Sequence, residues 1–187
     1  MFIQTQSTPN PATMKFLPGQ PVLPSGTADF PDPVSAQRSQ LATRLFGVNG
    51  VTRVFFGSDF IAVTKSESIH WPHIKPPILG AIMEHFQLGL PIIDPDTEAD
   101  AESADQANGQ DSSIVRQIKD ILDSRVRPAV AQDGGDIVFH GFERGVVYLH
   151  MQGACAGCPS STITLKMGIE NLLRHYIPEV VEVRPVV

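Results

Sequence analysis

Residues 146–173 read VVYLHMQGACAGCPSSTITLKMGIENLL. The apolar run from Val146 to Met151 predicts a strand. Pro159 suits the first position of a helix, where its missing N–H costs nothing, and Ser160, Ser161 and Thr162 suit the same turn. Leu165, Ile169, Leu172, Leu173 and Tyr176 then recur at helical spacing and mark a buried face. Val180 to Val183 return as a strand. A strand, a helix and a strand in succession imply a right-handed crossover, so the last two strands should run parallel. Both cysteines of the chain, Cys155 and Cys158, fall at the strand-to-helix junction.

Upstream of this unit, IVFHGF (137–142) reads as a partner strand, joined to VVYLHM through Glu143, Arg144 and Gly145. Ile114, Ile118, Ile121, Leu122 and Val126 form a helical stripe with Ser112 or Ser113 as N-cap. Pro128 should bend or end that helix. Asp133-Gly134-Gly135-Asp136 then reads as a turn, the glycines supplying positive φ and the aspartates local hydrogen bonds. The order expected for residues 112–187 is helix, strand, strand, helix, strand.

The stretch DPDTEADAESADQANGQDSS precedes it. Residues 94–113 carry seven acids (Asp94, Asp96, Glu98, Asp100, Glu102, Asp105 and Asp111) and no Lys or Arg. Without branched apolar or aromatic residues it cannot bury enough surface to order itself, and like charges extend it. We read residues 94–111 as an acidic flexible linker. The formal charge of the whole chain is −6, and without these seven acids it is +1. The folded parts are therefore near neutral and offer no basic field to nucleic acid.

Residues 1–93 read as a small α+β domain. Met1 to Thr5 and Met14 to Leu17 form a strand pair around Thr8-Pro9-Asn10-Pro11, a rigid turn. A helix is expected over Val34 to Phe46, with Leu41, Leu45 and Phe46 on one face. VTRVFFG and DFIAVTK make a hairpin around Gly57-Ser58-Asp59, and a second helix, Ile74 to Leu88, carries Ile78, Ile82 and Phe86. Trp71 before Pro72 suits a packed staple at its start. The fold class expected is α+β in two domains, 1–93 and 112–187.

No apolar stretch is long and uninterrupted enough to span a membrane, because Glu84, His85 and Gln87 break the longest one. Residues 1–5 have neither the basic nor the long apolar region of a secretory signal, and the first arginine is Arg38. The expected address is the cytoplasm, where a cysteine pair is more often reduced than a structural disulfide.

At a helix N-terminus, unpaired N–H groups and the positive end of the dipole favour thiolate over thiol. Gly153 and Gly157 leave space for a bulky ligand and free N–H groups to face sulfur, so the loop is expected to present two thiolates. Three uses compete. A disulfide oxidoreductase places C-x-x-C at the same junction, but needs more strands after it. A structural zinc site wants four ligands from one chain, and there is no second pair; His150 reads as an ordinary hairpin residue. Two chains about a two-fold axis, however, bring four thiolates to one centre, the set for zinc or an iron–sulfur cluster.

Both halves also resemble one family, the Nfu-type iron–sulfur cluster scaffold and carrier proteins. VRPAVAQDGGDIVF followed by GACAGCPSSTITLKMGIENLL is similar to the NifU-like C-terminal domain. TQSTPNPATMKFLPG with LFGVNGVTRVFFGSDFIAVTK is similar to the Nfu N-terminal domain. The resemblance implies a non-enzymatic carrier that binds a [4Fe–4S] cluster, or under some conditions [2Fe–2S], between two subunits through Cys155 and Cys158. It implies transfer to apo-proteins such as lipoyl synthase- or aconitase-like enzymes, filling by upstream assembly proteins, and contacts made by a ligand-free N-terminal domain. It implies a bacterial cytoplasmic protein, or a mitochondrial matrix protein in processed form. His70, His73 and His85 are expected at surface or core positions rather than as a metal site.

Overall fold

The computed structural model describes residues 1–95, 112–156 and 159–186. The chain divides into two compact units, Met1–Ala101 and Glu102–Val187, each mixing helix and strand. Of the acidic segment only Asp94 and Pro95 are described, and the Asp94 amide donates to the Arg38 carbonyl at 3.0 Å. The rest of the expected linker, 96–111, lies outside the described residues.

The first unit is built on five strands: β1 (Gln4–Ser7), β2 (Thr13–Leu17), β3 (Ala28–Phe30), β4 (Val51–Phe56) and β5 (Ile61–Lys65). They lie in the order β1-β2-β5-β4-β3, every pairing antiparallel. Helices α1 (Gln40–Phe46) and α2 (Trp71–Gln87) complete it. Phe16, Phe30, Leu41, Leu45, Phe56, Ile78 and Ile82 are all fully buried in one core. The Thr8–Pro11 turn is held by the Thr8 hydroxyl, which donates to Asn10 O, and by Asn10 Oδ1, which accepts from the Ala12 amide at 3.0 Å. Trp71 packs beside Phe16 and donates from Nε1 to Pro11 O at 3.2 Å, tying the start of α2 to that turn.

Three local expectations change. Strand β1 starts at Gln4 rather than Met1. The helix expected over 34–46 is broken at Ser39, which is extended (φ −141°, ψ 120°) between a 3-10 turn, Ser35–Arg38, and α1. Its hydroxyl accepts from the Ala42 amide at 3.2 Å and donates to Ile92 O, so a buried cap interrupts the helical pattern. Strand β3 is the third change. Three residues in a Pro- and Gly-rich stretch carry little periodicity, but Phe30 meets Phe56 edge-to-face at 5.1 Å and holds the strand to β4.

His85 also belongs to this core, with no exposed surface. Nε2 lies 3.1 Å from Pro91 O and therefore donates, while Nδ1 is buried without a partner. Burial above all, with the Arg44 charge adding to it, holds the imidazole below its usual pKa. The unfolded chain, titrating near pH 6.5, thus takes up the proton first. Stability from this group is complete above about pH 6.5 and declines as pH falls toward the lower folded value. Melting of the first unit should drop between pH 7 and 5 by calorimetry, and His85→Gln, which keeps an N–H for Pro91 O, should flatten that decline.

The second unit contains α3 (Ser112–Ile121), α4 (Arg127–Gln132), β6 (Gly135–Glu143), β7 (Val146–Gly153), α5 (Pro159–Tyr176) and β8 (Glu182–Val186). Its sheet has the order β6-β7-β8, with β6 and β7 antiparallel and β7 and β8 parallel, as the crossover requires. Ile118, Leu122, Val130, Ile137, Val147, Leu149, Ile169, Leu173 and Val183 fill the core.

Pro128 does not end the helix. A π turn, Leu122–Val126, joins α3 to α4, and the Arg127 amide donates to Leu122 O five residues back. Proline cannot donate, and its ring crowds the carbonyl four residues earlier; the wider turn accommodates both. Tyr176, expected in the buried face of α5, is 45% exposed, and Ile177 takes the inward place at 1%. At the β6–β7 turn Gly145 has φ +79°, and a Cβ there would lie 2.7 Å from Val181 Cγ2. Its carbonyl accepts from the Val181 amide at 2.7 Å, which feeds the chain into β8.

Candidate functional site

The site begins where β6 and β7 run out together. Gly135 is paired with Gly153, and the Ala154 amide donates to Gly134 O at 3.1 Å. Both Gly134 (φ +82°) and Gly153 (φ +64°) are left-handed, so the chain turns sharply at each strand end. Gly135 is required for a different reason. A Cβ there would lie 2.7 Å from Cys155 Sγ and 2.7 Å from Gln152 O. The second glycine of the motif therefore clears space for a sulfur, and only the first supplies the positive φ expected of both.

Cys155 sits against this glycine and is 5% exposed, within the core of the second unit. The expectation that the loop presents its thiols does not hold for Cys155: the turn at Gly153 directs it inward. Its carbonyl accepts from the Thr162 hydroxyl at 3.2 Å, linking the loop to the first turn of α5. Pro159 opens that helix as expected. Gly157 and Cys158 lie outside the described residues.

Asp136 was expected to make local turn contacts, and one exists: Oδ1 accepts from the Ile137 amide at 2.8 Å. The larger role is an ion pair. Arg127 donates from Nε and Nη2 to the two oxygens of Asp136 at 2.9 and 2.8 Å, and from Nη1 to Asp123 at 3.1 Å. The Asp136 side chain is 4% exposed, and its hydrogen bonds raise the guanidinium pKa still further. The pair fastens α4 to the strand end that forms the wall beside Cys155. Arg127 was not singled out in the sequence, and Gly135 was read only as a source of positive φ. An acidic residue opening a buried strand is the signal that called for a basic partner.

His150 lies within β7, opposite Val138 and Val186, as an ordinary strand residue. Among the described residues no group of three or more His, Cys, Asp or Glu side chains is arranged to hold a metal ion. In the first unit a cleft of about 480 Å³, lined by Phe2, Leu17, Pro21 and Asp59 among others, offers one carboxylate and no nucleophile. Among the described residues no helix is long and apolar enough to cross a membrane.

Comparison with known proteins covers both units. Residues 3–89 match the family described as "Scaffold protein Nfu/NifU N terminal" and residues 118–184 the "NifU-like domain". Over 181 residues the chain is 52% identical to the human "NFU1 iron-sulfur cluster scaffold homolog, mitochondrial", covering 96% of this chain and 70% of that protein. It is also 52% identical over 182 residues to "NifU-like protein 4, mitochondrial" of Arabidopsis thaliana, 96% of this chain and 64% of that one. A solution structure of a NifU-like protein from Saccharomyces cerevisiae aligns over 51% of this chain and 86% of its own, at 28% identity and a TM-score of 0.42. With both domains matched in order and half of all positions shared along nearly its whole length, the chain belongs to the Nfu/NifU-like family of iron–sulfur cluster scaffold proteins.

Proposed function

We propose that the protein carries a [4Fe–4S] cluster, or under some conditions [2Fe–2S], between two subunits and releases it to apo-proteins. Cys155 and Cys158 of each subunit are the ligands, and the cluster is cargo rather than a resident cofactor. The carrying observation is a donor count: this chain has two cysteines, both in one C-x-x-C at the junction of β7 and α5. A four-thiolate centre needs two more, and a two-fold axis supplies them. Soft sulfur donors beside a strand end cleared by Gly135 suit iron–sulfur chemistry.

A centre assembled from two half-sites comes apart when the subunits separate or when target thiols replace one pair. Release is therefore built into the ligand arrangement, and no catalytic group is needed. Recipients are proposed to be apo iron–sulfur proteins of the lipoyl synthase or aconitase kind, with upstream assembly proteins filling the site. The first unit makes partner contacts, and the acidic segment 94–111 acts as a solvated tether between the units. The named relatives are mitochondrial, so the matrix is one proposed site of action and a bacterial cytoplasm the other.

Thiol–disulfide exchange by the same pair is the competing reading, and it needs neither iron nor a second copy of the chain. Anaerobic reconstitution with ferrous iron and sulfide should give about half a cluster per chain and a particle of doubled mass. Mössbauer spectra and sedimentation read both at once. A complete cluster on a monomer, or insulin reduction by iron-free protein without any cluster uptake, would overturn the proposal.

A further inference from the structure

A cysteine that serves iron must reach it, yet the Cys155 side chain is folded in. The residue is 5% exposed and belongs to the core of the second unit, together with Met151, Ile169 and Leu173. A surface that water barely touches leaves no room for a metal bound to further sulfurs. Thiol exchange meets the same obstacle, since the attacking sulfur needs access too. For either chemistry, Cys155 has to move.

We propose that this is a stowed position, latched by Thr162, from which Cys155 turns outward to meet the cluster. The inference rests on the reading of Cys155 as a cluster ligand and adds the residue that positions it. Gly135, the first residue of β6, lacks the side chain that would lie 2.7 Å from Sγ. Glycine weakens a strand, and here it marks the place where sulfur approaches the backbone. The Cys155 carbonyl accepts from the Thr162 hydroxyl at 3.2 Å. The Ala156 amide donates to Gly153 O at 3.1 Å, closing a turn around Ala154 and Cys155.

The swing is local. Upstream, the Ala154 amide donates to Gly134 O at 3.1 Å and can hold the chain to β6 throughout. The Thr162 and Ala156 bonds lie within the 153–156 turn that carries the thiol. Both are neutral hydrogen bonds of modest net strength, so a minor outward population is accessible at equilibrium. Stowage shields the thiol from oxidants in iron-free protein. It also gives the thiol a place to return to, which lowers the apparent affinity for the cargo and favours its release.

The test uses the full, iron-free chain with Cys158→Ser, which leaves Cys155 as its one thiol. Iodoacetamide alkylates an accessible thiolate, and whole-protein mass spectrometry follows the rate. Folded protein should react at least about tenfold more slowly than the same chain in denaturant. Thr162→Val should raise the folded rate about threefold to tenfold, the effect of one hydrogen bond, and Thr162→Ser should restore it. Circular dichroism and melting temperature should stay close to the parent's in both. Urea below the unfolding transition should leave the rate unchanged, because the opening is local. A folded rate equal to that in denaturant, or a Thr162→Val rate equal to the parent's, overturns the proposal. A rate that climbs with urea overturns it too, by showing that unfolding alone releases Cys155. Failure of the two-cysteine chain to take up iron and sulfide would instead sink the ligand reading, while the alkylation rates would still decide the stowed position.

Discussion

Cys155→Ser and Cys158→Ser should each reduce cluster loading to background, below about a tenth of the parent value. In a two-fold centre every substitution is made twice, so one change removes two of four thiolates. The remaining pair cannot saturate the cluster, and a serine hydroxyl, neutral at pH 7, is a poor substitute for a thiolate. Absorbance and iron content after anaerobic reconstitution measure the loss. Cys155 needs one control. It is 5% exposed, so a hydroxyl in its place carries a desolvation cost of about 1–3 kcal/mol. Melting the apo variants separates lost ligation from a loosened core. Either variant loading normally with unchanged spectra would remove that cysteine from the ligand set.

The largest stability effect is expected at Arg127. Replacing it with Met removes both guanidinium hydrogen bonds from the Asp136 carboxylate, whose side chain is 4% exposed. Breaking a fully buried pair costs about 3–5 kcal/mol. Because the Arg127 side chain is 36% exposed, water offsets part of this, and a loss of about 2–3 kcal/mol is expected. For a unit of this size that is on the order of 10 °C in melting temperature. Arg127→Met with Asp136→Leu should cost less than the sum of the two single changes, since no stranded charge remains. The wall at Gly135 lies beside this pair, so Arg127→Met should also lose loaded cluster faster to chelator. Additive losses in the double variant would show that the two residues act independently.

Much of this architecture was legible because it rests on short-range rules. The C-terminal crossover and its parallel strand pair follow from a strand, a proline-started helix and a strand in sequence. The Thr8–Pro11 turn and the 57–59 hairpin follow from residues that constrain their own backbone. The C-x-x-C pair, which we propose to be a half-site, was visible from a count of donors. Where the reading slipped, a distant partner overrode a local pattern. Ser39 breaks a helix because its hydroxyl has a buried acceptor at Ile92 O. Three residues of β3 become a strand because Phe30 has Phe56 to pack against.

Tertiary structure decided the roles inside Asp133–Asp136. Glycine frequency announces a turn, yet nothing local distinguishes a glycine needed for φ from one needed to admit a sulfur. Gly134 is the first kind and Gly135 the second, because Cys155, twenty residues later, is folded against it. Asp136 gains its meaning from Arg127, held at bonding distance by a π turn that Pro128 makes necessary. By itself the sequence determined most of the secondary elements, the handed connection of the last two strands and the number of thiols. Only the folded chain decided which atoms touch, since burial and close contact depend on segments far apart along it. It thus drew Cys155 inward, against Gly135.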